Sequence, residues 1–171
     1  TFSSIPQTYD HLELSIYARA DHSSVYGAEV YCEFNGDTTA TNYHTQRFRG
    51  LGSSPSALSQ NYQPIGSIAS DNAGANIFGV ITSTIYNYTK TDRHKHLLAA
   101  YGVNERRNHL GSNRWASTAA VTSITLTQDG SGDFITGSVF TLRGINSTVA
   151  AATSDVAALN GIAPADIEAV N

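Results

Sequence analysis

Along most of the chain, apolar and polar residues alternate with a period of two. In residues 12–18, Leu12, Leu14, Ile16 and Ala18 alternate with Glu13, Ser15 and Tyr17, the pattern of a strand with one buried face. Val30, Cys32 and Phe34 alternate with Glu29, Tyr31 and Glu33, and this run stops at Asn35-Gly36-Asp37. Asn-Gly is a strong tight-turn signal, so a hairpin into residues 42–49 is expected. Residues 50–61 (GLGSSPSALSQN) are rich in Gly and Ser and read as a surface loop, followed by a shorter strand over 62–68. Residues 77–88 (IFGVITSTIYNY) place Ile77, Ile81 and Ile85 on one side and Phe78, Val80 and Tyr86 on the other, which predicts a central strand covered on both faces.

Residues 96–103 are its expected partner, and 104–113 (NERRNHLGSN) read as a polar, partly basic loop leading to Trp115. A strand over 121–126, a Gly- and Asp-rich turn at 128–133 and renewed alternation over 134–145 predict a further hairpin. Many short strands between turns, with almost no helical periodicity before residue 146, define the expected fold: an all-β antiparallel sandwich, jelly-roll-like, spanning residues 1–145. Residues 146–171 differ. Asp155-Val-Ala-Ala-Leu-Asn160 recurs eleven residues later as Asp166-Ile-Glu-Ala-Val-Asn171, with Gly161 and Pro164 between, so a short irregular or helical C-terminal arm is expected there.

Composition narrows the function classes. Charged residues make up 14% of the 171 residues and the net charge is -4, so no basic stripe is available for a phosphate backbone and nucleic acid is not an expected partner. The single cysteine, Cys32, excludes an internal disulfide and falls on the apolar side of its alternation, where it reads as a small buried hydrophobe. No run approaches the roughly 20 apolar residues needed to cross a bilayer as a helix, so no membrane partner is expected.

Candidate chemistry is thin. His94 and His96 are two apart, on one face of a strand, and with His109 would make a zinc-like set, but Thr91, Asp92, Arg93 and Lys95 around them read as solvated turn residues and no metal site is expected. Asp129-Gly-Ser-Gly-Asp133 imitates the start of a calcium loop, yet the twelfth position is Phe140 rather than Glu, so a plain turn is the better reading. Catalytic motifs and paired carboxylates in an apolar setting are missing, and the expectation is a non-enzyme without catalytic residues or cofactor. Tyr17, Tyr31 and Trp115, with the loops 50–61 and 104–113, are the candidate surface for a sugar or a subunit interface. Arg106, Arg107 and Arg114 read as solvated loop charges.

Three stretches together resemble a family of bacteriophage virion proteins. Residues 2–9 (FSSIPQTY) with the strand that follows are similar to the family's opening. Residues 30–42 (VYCEFNGDTTATN) are similar to its internal FNGD-type segment, and residues 115–126 (WASTAAVTSITL) with Phe134 and 137–145 (GSVFTLRGI) to its closing segment. The likeness covers residues 1–145 and departs at Arg143, where an aromatic is usual. It implies a sandwich module of decoration, minor structural and tail proteins on the surface of a virion. The leading expectation is a capsid decoration or cement protein bound to the outside of the head, with the major capsid protein or other virion proteins as partners and homo-oligomers, trimers among them, as a plausible state. The alternative is a carbohydrate-binding module of a tail fibre or spike that recognises a host surface glycan.

Overall fold

The computed structural model describes residues 1–23, 25–103, 106–130 and 132–147. Both copies of the eleven-residue repeat lie outside the described residues. Ten antiparallel strands follow one another: β1 (His11–Ala18), β2 (Gly27–Phe34), β3 (Tyr43–Leu51), β4 (Ser54–Gln60), β5 (Pro64–Ala69), β6 (Gly79–Tyr86), β7 (Lys95–Val103), β8 (Arg107–Trp115), β9 (Ile124–Gln128) and β10 (Val139–Ile145). They form a seven-stranded sheet, β10-β1-β6-β7-β8-β3-β4, and a three-stranded sheet, β5-β2-β9. The two pack as a sandwich, the expected fold. A single 3-10 turn (Ala40–Asn42) joins β2 to β3.

The alternation read in the sequence places the core. Leu12, Leu14 and Ile16 of β1, Ile81 and Ile85 of β6, and Leu97 and Ala99 of β7 are buried on the inner face of the large sheet, against Val30, Cys32 and Phe34 of β2, Ile68 of β5 and Ile124 of β9. Each large aliphatic side chain buried in this way contributes roughly 1.5–3 kcal/mol. Every residue of β5 is buried. On one face Gly66 lies so close to Ile81 and Tyr101 that an added Cβ would meet them at 2.9–3.0 Å. Glu29 and its pairing partner Ser67 point the opposite way, yet Glu29 reaches Arg47 of β3 at 2.6 Å. The β8-β3 half of the large sheet therefore curls around β5 and covers its second face.

The strand boundaries correct several expectations. Residues 50–61 are not a loop: β3 runs to Leu51, and β4 pairs with it from Thr45↔Gln60 to Leu51↔Ser54. Pairing with a long neighbour overrides the weak strand preference of Ser and Gly. Residues 107–113 are likewise strand β8, between β3 and β7, not loop. Two expected hairpins are crossovers between sheets: β2 and β3 belong to different sheets, as do β9 and β10, and β10 pairs with β1 instead. β6 occupies a central position with only its inner face covered, since Val80 and Thr82 are exposed.

The turn after β2 holds the β2-to-β3 crossover to another, from β8 in the large sheet to β9 in the small one. Asn35 and Gly36 adopt positive φ (53° and 73°), which Asn and Gly tolerate best. The Asn35 side chain then grips the chain between β8 and β9: its Nδ2 donates to Ala120 O at 2.8 Å, and its Oδ1 accepts from Thr122 N at 2.8 Å and Ser123 N at 3.1 Å. Two residues on, Asp37 Oδ2 accepts from Trp115 Nε1 and from Asn42 Nδ2, both at 2.8 Å. Burial works against the Asp37 charge, but the hydrogen bonds from Trp115, Asn42 and Thr39 outweigh it and hold the carboxyl below its ordinary pKa. Replacing Asn35 by Ala removes the αL tolerance and four hydrogen bonds, the Thr122 hydroxyl's to Oδ1 included, and the expected loss of stability is about 2–4 kcal/mol in urea unfolding. Asn35→Gly restores the backbone freedom and should recover only part of it; a loss below about 0.5 kcal/mol for Asn35→Ala would show that the turn does not secure the crossover.

Candidate functional site

Two places concentrate chemistry, and they lie back to back on the β3-β8 half of the large sheet. The inner one is polar. Thr45, Arg47, His109 and Asn113 are all buried on the inner face of β3 and β8. Arg47 pairs with Glu29, and the Thr45 hydroxyl donates to Asn113 Oδ1 at 2.6 Å and lies 2.7 Å from Tyr62 O. His109 stacks edge-on to Tyr101 with centroids 4.7 Å apart, and the ring lies over Gly111, where any Cβ would collide with it. Neither His109 ring nitrogen has a hydrogen-bond partner among the described residues. Burial, then the Arg47 and Arg49 charges, push its pKa down from 6.5 to about 4. His109 is therefore a neutral ring that fills space between two arginines.

The outer place is the solvent face of the same sheet, and its register sorts the side chains into rows crossing the strands. One row runs Ser15, Thr82, Ala100, Leu110, Phe48 and Ala57. The next runs Glu13, Thr84, Leu98, Ser112, Gln46 and Ser59. Phe48, Leu98 and Leu110 are neighbours across these rows and are 59%, 55% and 66% exposed. With Ala57 and Ala100 they line a shallow depression of about 820 Å³. A contiguous apolar cluster on an open sheet face marks an interaction surface, whereas isolated exposed apolar residues are ordinary.

A third row, at the end of the sheet, runs His11, Tyr86, His96, Arg114 and His44. His44, His96 and Arg114 line a smaller polar recess of about 300 Å³ that shares Gln46 and Ser112 with the apolar depression. His11 Nδ1 accepts from Asn87 N at 3.1 Å, and its Nε2 lies 3.3 Å from Ser147 Oγ. Arg114 makes no ion pair or hydrogen bond with the described residues, and its neighbours in the row are imidazoles rather than carboxylates.

The residues singled out in the sequence are dispersed. His96 faces outward and His109 inward, so with the exposed His94 they share no site, and no group of three potential metal ligands exists among the described residues. Trp115 is buried against Phe34, with centroids 5.4 Å apart, and is a core residue rather than a sugar platform. Tyr31 is half-buried against Tyr62, while Tyr17 is exposed and stacks on Phe78. Lys95 is not solvated: it is fully buried, and its Nζ donates to Lys90 O, Arg93 O and Thr118 O at 2.5–3.1 Å. Arg107 and Arg114 lie on β8 rather than in a loop; Arg107 donates to Gly27 O, and Arg106 stands 5.1 Å over the Tyr26 ring. Cys32 is buried, which raises its thiol pKa, and it packs as the hydrophobe expected. The rows of the outer face were missed because they need the strand register, which residue spacing along one strand does not supply.

Comparison with protein-family models, curated proteins and solved structures finds no match.

The buried His109 makes the fold acid-sensitive in a defined window. The unfolded chain takes up a proton near pH 6.5, but the folded chain does so only near pH 4. Below pH 6.5 the unfolded state binds more protons, so stability should fall as pH drops from 6.5 to 4, by about 3 kcal/mol in all. His109→Phe keeps the edge-on contact with Tyr101 and carries no titrating group. Urea unfolding of this variant should lose that part of the pH dependence; an unchanged slope would place the titrating group elsewhere.

Proposed function

We propose that this chain is a non-enzymatic structural protein of a virion surface, and that it works by docking the outer face of its seven-stranded sheet onto a larger protein assembly. One observation carries the docking face: Phe48, Leu98 and Leu110 stand exposed side by side on adjacent strands around an open depression. Transferring such a cluster from water into a protein contact is favourable at roughly 25 cal/mol per Å² of apolar surface. The virion placement, with head decoration as its leading form, draws on the resemblance of residues 2–9, 30–42 and 115–145. Mixing the purified protein with particles assembled without it should give saturable binding of many copies. Leu110→Asp should abolish this binding while leaving the thermal midpoint within a few degrees, because the side chain is already in water. Equal binding by Leu110→Asp and the parent protein would move the contact to another surface.

A second reading is favoured by a different observation. The row His11, Tyr86, His96, Arg114, His44 is polar, aromatic and open, as a surface that recognises a carbohydrate would be. In that reading the protein is a glycan-recognition module of a tail fibre or spike. A glycan array separates the two: specific binding that disappears when Tyr86 or Arg114 is substituted supports recognition, and a blank array supports docking.

A further inference from the structure

We propose that the row His11–Tyr86–His96–Arg114–His44 is a groove for an acidic polysaccharide, with the Arg114 guanidinium taking the carboxylate or sulfate of one sugar unit. The proposal rests on the recognition reading above and deepens it. The five side chains stand directly opposite one another on β1, β6, β7, β8 and β3. At 4.7–4.9 Å between strands the row spans about 19 Å, the length of a short run of sugars rather than of one small ion.

Charge density selects the polymer. Arg114 is the row's one permanent cation, it has no ion-pair partner among the described residues, and the chain as a whole carries -4. A nucleic acid brings a charge at every phosphate and needs several cations along its track, so it would be repelled more than held. A polysaccharide bearing one acid per sugar or fewer matches a single guanidinium, which binds carboxylate or sulfate through two parallel N–H donors. The flanking row completes the match. Thr84, Ser112, Gln46 and Ser59 offer hydroxyls and an amide that both donate and accept, as sugar hydroxyls require, while Leu98 and the Tyr86 ring suit the apolar faces of sugar rings. Glu13, in the flanking row, lies 3.6 Å from Arg143.

The positions are also held rigidly. His44 lies between inward-facing Tyr43 and Thr45, Arg114 between Asn113 and Trp115, and His96 beside Lys95, and each of these inward residues is fixed by a hydrogen bond. Backbone order is thereby in place before a ligand arrives, which lowers the entropy lost on binding.

The test is binding of the whole chain to immobilised hyaluronan, which carries carboxylates only, and to κ-carrageenan, which carries sparse sulfates only, with neutral dextran, polyglutamate and double-stranded DNA as comparisons. Preferential binding to either acidic polysaccharide, weakened on the order of tenfold by Arg114→Gln and untouched by Arg106→Gln in the turn at the opposite end of β7 and β8, is the expected result. Which of the two polymers binds names the anion. Equal losses in Arg114→Gln and Arg106→Gln, or binding of polyglutamate or DNA as tight as that of the sugars, would overturn the site as nonspecific charge attraction. Binding to neutral dextran that Arg114→Gln does not alter would overturn the acidic groove and leave the recognition reading standing. No saccharide bound at all would remove both. Unchanged thermal midpoints show that each variant folds.

Discussion

The fold depends on how the Asn35-Gly36-Asp37 turn holds the segment between Trp115 and Ile124. Each visit to the small sheet is a single strand, entered from the large sheet and returned to it, so the sandwich is stitched by crossovers rather than hairpins. Two of these, β2 to β3 and β8 to β9, meet at this turn. The Asn35 side chain fixes the backbone of residues 120–123, and Asp37 ties Trp115 to Asn42. Tyr43 adds a third tie, its hydroxyl donating to Asp37 O at 2.8 Å and accepting from Phe34 N at 3.0 Å. These bonds act together with the backbone bonds that Phe2 makes with Ile124, and Ile5 with Thr122, in setting where β9 falls against β2. The FNGD segment and the segment beginning at Trp115, far apart in sequence, are halves of one structural joint. The residues behind two stretches of the virion-protein resemblance therefore serve architecture, and a binding surface has to be sought elsewhere.

What was legible in the sequence follows from which face of each strand is apolar. β1 was readable almost to the residue because apolar positions face in and polar positions face out, the normal arrangement of a half-buried antiparallel strand, and the apolar side of β2 was readable in the same way, although Glu29 on its other side is covered by Arg47. β8 was unreadable for the opposite reason. Its inward positions are His109, Gly111 and Asn113, and its outward ones include Leu110, so the pattern that marks a strand is scrambled. β4 is an edge strand of small residues whose order comes from its neighbour. The Gly- and Asp-rich stretch 128–133 signals a turn correctly but not its span: Asp133 N bonds to Asp21 Oδ1, and the chain crosses to β10 in the other sheet. Local residue preference identifies turns and strands, whereas partnership between strands is a long-range property.

The inversion at β3 and β8 is the most informative departure. Polar groups are buried on the inner face and apolar groups exposed on the outer face, each against the hydrophobic effect. Inside, the charges are partly compensated: Arg47 has Glu29, but His109 must stay neutral and several nitrogens lack partners. A sequence shaped only for stability would exchange the two sets. Places where local rules are broken in this way are where function is expected to reside.

The curl of the large sheet connects the two halves of that inversion. Because β8 and β3 wrap around β5, the inner side chain of Arg47 meets Glu29, on the face of the small sheet turned away from the main core. A purely apolar lining there would strand the Glu29 carboxylate, whereas Arg47 satisfies it, at the cost of a second buried charge that adds to the effect of burial in keeping His109 neutral. The same wrap turns the opposite side of β7, β8 and β3 toward solvent as one continuous surface, with the apolar depression and the Arg114 recess meeting at Gln46 and Ser112. Inner satisfaction and outer presentation are thus two consequences of a single bend. A change that flattened the sheet, such as loss of the Arg47–Glu29 pair, would alter the outer rows without touching any residue in them.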